Sequence, residues 1–211
     1  NEQREAAVRT LLKEIIREHR KVLFDGDNYS DAWHKEAKKR GLPNLRTAAD
    51  ALPVLTTQKS LDLFDHYGVL SNRELEARQE VLLEQYATVV GIECRTLIQM
   101  LSTQILPASL RYQGALAEIV ASSQAVSVEC SRTVGRLSDI SSLVETMQES
   151  IETLKAAESR EHECSTEHAA YVRDSLVSAM EVARTISDQL EEILPDDLWP
   201  LPSYTEMLFV R

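Results

Sequence analysis

Glycine and proline are scarce, six of each in 211 residues, and Phe, Trp and Tyr together make up 5% of the chain. Sustained alternation of Val, Ile and Thr is absent as well, which leaves little from which to build a sheet. Cysteine is limited to Cys94, Cys130 and Cys164. Their odd number and wide spacing exclude a disulfide framework and fit free thiols in a reducing, cytoplasmic setting. No apolar run is long enough for a membrane span or a secretory leader. Positive charge is in deficit: 23 Lys and Arg face 34 Asp and Glu, a formal charge of -11 with a pI near 5.0. Such a balance repels nucleic-acid phosphates and anionic membranes, so neither is an expected partner. The phosphate-cradling strings G-x-x-x-x-G-K and G-x-G-x-x-G are missing, and so is the nucleophile elbow G-x-S-x-G. The first residue, Asn1, falls inside an already helical pattern with no Met before it. A piece of a longer protein is therefore expected.

What is present is apolar residues at spacings of three and four almost throughout, which makes the fold class all-α. Val8, Leu11, Leu12, Ile15, Ile16, His19, Val22 and Leu23 share one face of a first helix. Ser30 is placed to cap a second, with Asp31 in its first turn and Lys38, Lys39 and Arg40 in its last, before Gly41. Short helices follow from Thr47, interrupted by Pro53, and from about Thr57 to Tyr67, stopped by Gly68. In LSNREL, Ser71 and Glu74 have the spacing of a capping box, and Leu70 and Leu75 that of a hydrophobic staple. A long helix begins there, loosens at Gly91 and is expected to kink or split at Pro107.

From Ala121 the composition turns to Ser, Thr, Glu and aliphatic residues. Val134, Leu137, Ser141, Val144, Met147, Ile151 and Leu154 form one near-heptad stripe, and Val172, Leu176, Met180, Ala183, Ile186, Leu190 and Ile193 a second. An antiparallel hairpin with its reversal near Ser165 and Thr166 follows. The tail, LPDDLWPLPSYTEMLFVR, is too apolar to stay in water and is expected to dock. The organisation read from these features is 1–120, short helices and a long Pro-kinked helix; 121–195, the hairpin; 196–211, the docking tail.

Chemistry-bearing clusters are few. FDGDNYSDAW offers Asp25, Asp27 and Asp31, and Glu36 falls at the twelfth position of a calcium loop counted from Asp25. Tyr29 at the fifth position is a poor hard-ion ligand, and Ser30 stands where that loop requires Gly, so the stretch reads as a turn and a helix start. His162, Cys164 and His168 could approach a zinc ion, but no second pair completes a tetrahedral set, and an exposed polar turn is the reading adopted. His19, His34 and His66 are scattered, with His66 explained by its helix C-terminus. No catalytic, cofactor-binding or metal-binding residue is assigned.

Several separated strings nonetheless agree in order with one family. VLFDGDNYSDAWHKEAKKRGLPNLRTAADALPVL, LFDHYGVLSNRELEARQEVLLEQYA, TQILPASLRYQ and LWPLPSYTEMLF together resemble the C-terminal portion of class III glutamine synthetases. The likeness is densest from Val22 to Gln113 and returns in the last dozen residues, while the hairpin between is generic. The resemblance implies a parent enzyme that uses ATP, with Mg2+ or Mn2+, to activate the γ-carboxylate of glutamate and then admits ammonia. It also implies homo-oligomeric rings. The family's metal-binding glutamates and ATP-contacting arginines precede the region covered here, so this segment is expected to be inactive alone, supporting domain closure and subunit contacts. Tyr29 lies roughly where some class I enzymes carry an adenylylated tyrosine, although the surrounding string differs and a packed or merely exposed tyrosine is favoured, since aromatic residues next to caps commonly anchor turns. The competing reading is a stand-alone helical-hairpin interaction or signalling module, suggested by Ser131 to Glu158 and poor at explaining the N-terminal strings.

Overall fold

A computed structural model of the protein describes residues 2–160, 163–202 and 204–208. Among them there is no strand, in keeping with the all-α reading, and the chain divides into two units, 1–47 and 48–211.

The first unit holds α1 (Glu2–Glu18), a 3-10 turn (Arg20–Val22) and α2 (Asp31–Lys39). The apolar face expected on α1 forms, but Val8, Leu11, Leu12, Ile15 and Ile16 remain 43 to 56% exposed. The turn after it is held from α2. Arg40 donates through Nη1 to the carbonyls of Leu23 at 2.5 Å and Lys21 at 3.2 Å, while its Nε pairs with Glu36 at 2.7 Å. Phe24 packs on Trp33 with ring centroids 4.9 Å apart. A Cβ at Gly26 would meet the Phe24 ring at 2.7 Å, so a larger residue there would require that ring to shift. Gly41, at φ 67°, ends α2 in a Schellman closure: its N–H reaches the Lys38 carbonyl and that of Leu42 reaches Ala37.

The second unit is built on one long rod. Leu52–Thr56 forms a 3-10 turn between α3 (Ala48–Ala51) and α4 (Gln58–His66), and α5 (Asn72–Met100) follows. The capping box is present: Glu74 N–H donates to Ser71 Oγ at 3.4 Å, and Ser71 N–H to Glu74 Oε2 at 2.8 Å. The expected loosening at Gly91 does not occur, since α5 runs through it unbroken and the helical hydrogen bonds need no side chain there. The expected disruption at Pro107 lies upstream of that residue. A π-turn at Leu101–Ile105 leads into α6 (Leu106–Ala125), whose first turn holds Pro107. The wider turn leaves the proline where its missing N–H is not required, so the rod continues instead of breaking.

α7 (Ser131–Glu158) returns along this rod, α8 (Ser165–Tyr171) packs against α5, and a second π-turn (Val172–Leu176) and α9 (Val177–Ile193) return along α7. α7 ends at Glu158 and α8 begins at Ser165, so that Ser165 and Thr166, expected near the reversal, form the first turn of α8. Ile140, Val144, Met147, Ile151 and Leu154 meet Val172, Leu176, Ala183, Ile186 and Leu190, and both stripes close on Leu101, Ile105, Ala108 and Leu116 of the rod. Val134, expected in the seam, is 42% exposed because it lies in the first turn of α7, at the open end. Trp199 and Leu201 of the tail pack on the same core, followed by α10 (Tyr204–Leu208); Phe209 and Val210 of the docking string lie outside the described residues.

Leu154 is fully buried whereas Val182 on the outer side of α9 is 57% exposed. In urea denaturation, Leu154→Ala should cost about 3 kcal/mol, while Val182→Ala stays within about 0.5 kcal/mol of the parent sequence. Equal effects would mean that this seam is not the core.

Candidate functional site

The densest polar arrangement lies where α3 and the hairpin meet α5. Ala49, Leu83 and Ala169 form a small buried cluster, flanked by Leu52 and Tyr86. Small side chains at both Ala positions let α3 and α8 approach α5 closely. The second π-turn keeps Val172 and Leu176 in the core and leaves Arg173 and Asp174 at its outer side. There Arg173 donates through Nε and Nη2 to the two carboxylate oxygens of Asp174, at 2.6 Å each, and through Nη1 to Asp50 of α3. The hydrogen bond to Asp174, followed by the charge of that carboxylate and of Asp50, raises the Arg173 pKa above its ordinary value. Asp174 is held below the usual carboxylate range, first by the Arg173 hydrogen bond. Burial raises the Tyr86 pKa, with Asp50 and Asp174 adding to the rise and Arg173 opposing it.

Beside this junction, Arg95 pairs with Glu158 at 2.5 Å, and Arg160 lies 5.1 Å over the Tyr171 ring. The guanidinium groups here are engaged by carboxylates or an aromatic face. The arrangement fixes helices relative to one another; it presents no nucleophile next to a base and no convergent donors for a phosphate. These partners are 123 and 63 residues apart. Such distant charges carry no periodic signal, and sequence reasoning missed both pairs.

The clusters expected from sequence are placed as follows. In the FDGDNY turn, Asp27 Oδ1 accepts from the Tyr29 N–H at 2.9 Å, and Ser30 Oγ donates to the Asp27 carbonyl at 2.6 Å. Asp27 is therefore spent on an Asx-type turn. Ser30 occupies the N-cap position of α2 with extended backbone, but its hydroxyl, turned to Asp27, makes no cap hydrogen bond. Tyr29 is 95% exposed, the second of the two arrangements expected for it. Of the candidate zinc trio, His162 lies outside the described residues. Cys164 precedes α8, where the backbone N–H groups of Glu167 and Thr166 lower its thiol pKa, and His168 lies a turn further on. Among the described residues, no three His, Cys, Asp or Glu side chains are grouped to hold a metal ion. His34 Nδ1 is 3.0 Å from Asn44 Oδ1, and His66 stands edge-on to Tyr67. The three cysteines are free, and burial raises the pKa of Cys94.

Because Asp174 is ionised more readily in the fold than in the unfolded chain, its contribution is complete above the unfolded carboxylate pKa of about 3.9 and fades as pH falls through the lower folded value. Thermal unfolding of Asp174→Asn against the parent sequence should therefore differ at neutral pH and converge under acid. A difference that widens under acid contradicts this assignment.

A family model described as the glutamine synthetase C-terminal domain matches residues 7–124. Among curated proteins, the chain is 35% identical to a type-3 glutamine synthetase of Dictyostelium discoideum, covering 99% of this chain and 29% of that protein. It is 31% identical to a glutamine synthetase of Butyrivibrio fibrisolvens, covering 96% and 29%, and 29% identical to one of Bacteroides fragilis (strain YCH46), covering 99% and 30%. The chain thus spans less than a third of the length of these relatives.

Proposed function

We propose that this chain, which belongs to the glutamine synthetase C-terminal domain family, is the structural C-terminal part of a cytoplasmic glutamine synthetase. The parent enzyme would join ammonia to glutamate at the expense of ATP. In that reaction a γ-carboxylate oxygen of glutamate takes the terminal phosphoryl group of ATP and ADP leaves. Ammonia then attacks the acyl carbon and phosphate departs. ATP and Mg2+ or Mn2+ do not fit the residues present here: among those described no ligand set for a cation is grouped, and Arg40, Arg95 and Arg173 are committed to carboxylates. No step of the reaction is therefore assigned to this chain, and none of its residues is proposed as catalytic, cofactor-binding or metal-binding.

The observation that carries the reading is the apolar face of α1. Val8, Leu11, Leu12, Ile15 and Ile16 stand exposed in a row, in a chain that spans 29% of the relative from Dictyostelium discoideum. A stripe of that kind needs cover. The proposed cover is the remainder of the parent chain, with residues 1–120 closing the catalytic part, 121–195 supporting contacts within the homo-oligomeric ring and 196–211 docking on this chain. Neither nucleic acid nor membrane is a proposed partner, and among the described residues no helix is long and apolar enough to cross a membrane. The stand-alone hairpin reading is less favoured, because the seams of α7 and α9 are covered by α5 and α6 of the same chain.

Incubated with glutamate, ammonia, ATP and Mg2+, the isolated chain should release no phosphate above a blank; release would overturn the assignment. The surface claim has a separate test. Leu12→Glu combined with Ile16→Glu should change the stability of the isolated chain by no more than about 0.5 kcal/mol per site, as for other exposed positions. Placed in the parent enzyme, the same pair should abolish ring assembly in sedimentation together with activity. A parent that tolerates both changes would show that this face has no buried partner.

A further inference from the structure

Charge is unevenly spread along the chain. Asp, Glu, Lys and Arg make up 27% of the whole sequence, yet residues 96–128 contain two of them, Arg111 and Glu118. Part of that stretch is the buried side of the rod, where charge is not expected, but part of it is surface. α6 rests on α7 through Leu116 and its neighbours, and on the opposite side Leu110, Arg111, Gly114, Ala117, Glu118 and Ala121 are exposed. Leu110 is 44% exposed, and a Cβ built on Gly114 would meet nothing within 4 Å. Depletion of charge around an apolar centre is the composition of a surface that another protein covers.

We propose that α6 is an isologous contact between two copies of this chain, packed antiparallel about Gly114 with reciprocal ion pairs from Arg111 to Glu118 of the other copy. The two charges have opposite sign and lie about two helical turns apart, so both project from the same side of α6. Their midpoint falls between Gly114 and Ala115. When two such helices run antiparallel and cross there, each Arg111 comes level with the Glu118 of the other copy, as a two-fold axis requires. A parallel pair would oppose Arg111 to Arg111. In the antiparallel pair Leu110 of one copy lies level with the gap between Ala117 and Ala121 of the other, and Gly114 beside the axis lets the backbones approach. Neither charge is ion-paired among the described residues. Arg111 spends Nε on the Pro107 carbonyl at 3.3 Å, which leaves both Nη groups for a carboxylate. This self-complementary placement singles out a second copy, because a foreign surface would require no such symmetry. One helix face buries less than the total of about 1,200 Å² at which stable interfaces begin, so the contact is weak by itself and gains strength where other contacts hold the copies together. For that setting it rests on the homo-oligomeric reading proposed above.

The test is sedimentation equilibrium of the isolated chain carrying Leu12→Glu and Ile16→Glu, so that the apolar row of α1 does not contribute. At millimolar concentration and low salt it should form dimers and no larger species. Arg111→Glu or Glu118→Arg should each weaken dimerisation at least about tenfold, because like charges then stand opposed, and the two together should restore it. Gly114→Gln should abolish it with the helical circular dichroism unchanged, since the single chain has open space at that position. Oxidation of Gly114→Cys, in a chain with Cys130→Ser and Cys164→Ser, should trap a covalent dimer, whereas Ser142→Cys on α7 should not; this reads the crossing point even if Gly114→Gln fails to fold. A chain that stays monomeric overturns the pairing and leaves the face to the rest of the parent protein. Dimers that ignore the charge reversals, or reversals that the swap does not rescue, overturn the proposed geometry. These measurements involve neither glutamate nor ATP, so their failure leaves the glutamine synthetase reading standing, and phosphate release by the isolated chain would unseat that reading without touching this contact.

Discussion

The apolar seam of α7 is the constraint on which the second unit depends. A 28-residue helix with a stripe running from Ile140 to Leu154 cannot remain in water, and α9 alone can cover only one side of it. The other side is covered by the rod formed from α5, its π-turn and α6. Leu101 and Ile105, both within the π-turn, are among the least exposed residues of the chain. An unbroken α-helix would rotate successive residues by a fixed angle. The extra residue of a π-turn resets that angle at one point, so the seam upstream and the seam downstream can both face α7. The Val172–Leu176 turn has the same consequence in the opposite rod, where Val172 and Leu176 are both buried.

Closing the bundle in this way also consumes the charges that chemistry would need. Arg173 is held by Asp174 and Asp50, and Arg95 by Glu158. A guanidinium already surrounded by carboxylates has little left to offer a phosphoryl group, and what these residues supply is orientation. Arg173 sits on the hairpin and Asp50 on α3, so their pairing ties the short N-terminal helices of this unit to the returning strand of helix. α1 is in the opposite situation. Seventeen residues of helix are marginal in water without tertiary support, and its row of aliphatic side chains is the kind of surface that gains stability only when another surface covers it.

The parts of this fold that were legible in the sequence are those written in local periodicity. The stripes of α7 and α9 repeat every three or four residues, and Ser71 with Glu74 announces the start of α5 by side-chain chemistry confined to one turn. Gly41 and Gly68 mark helix ends because both adopt positive φ. Less legible was everything that depends on a distant partner. Nothing near Arg173 names Asp50, and nothing near Val134 says that the bundle opens there. Pro107 drew attention to itself, while the irregularity was placed at Leu101–Ile105, where a wide turn accommodates the proline ahead of its own position. Ser30 likewise has the right residue type and backbone for a cap, yet its hydroxyl takes the nearer Asp27 carbonyl at 2.6 Å. Competition between two short-range acceptors cannot be resolved by residue type.

The family match ends at residue 124, while the relatives align over 96 to 99% of the chain. Packing explains why the hairpin travels with what precedes it. Ala108 and Leu116 of α6 are buried in one cluster with Ile140 and Val144 of α7, and Gln113 donates to Ser141 Oγ at 2.9 Å across the same contact. A chain cut after α6 would expose these residues together with Leu101 and Ile105, a continuous apolar strip along the rod. The change of composition near residue 121 therefore separates sequences of different character while one core runs through both. Substitutions on the outer faces of α7 and α9 are free to drift, since Val182 and its neighbours there face water. The inner faces are fixed by volume, because close-packed interiors respond to the loss of even a methylene. A hairpin that looks generic in sequence is thus fixed in space by the rod it covers.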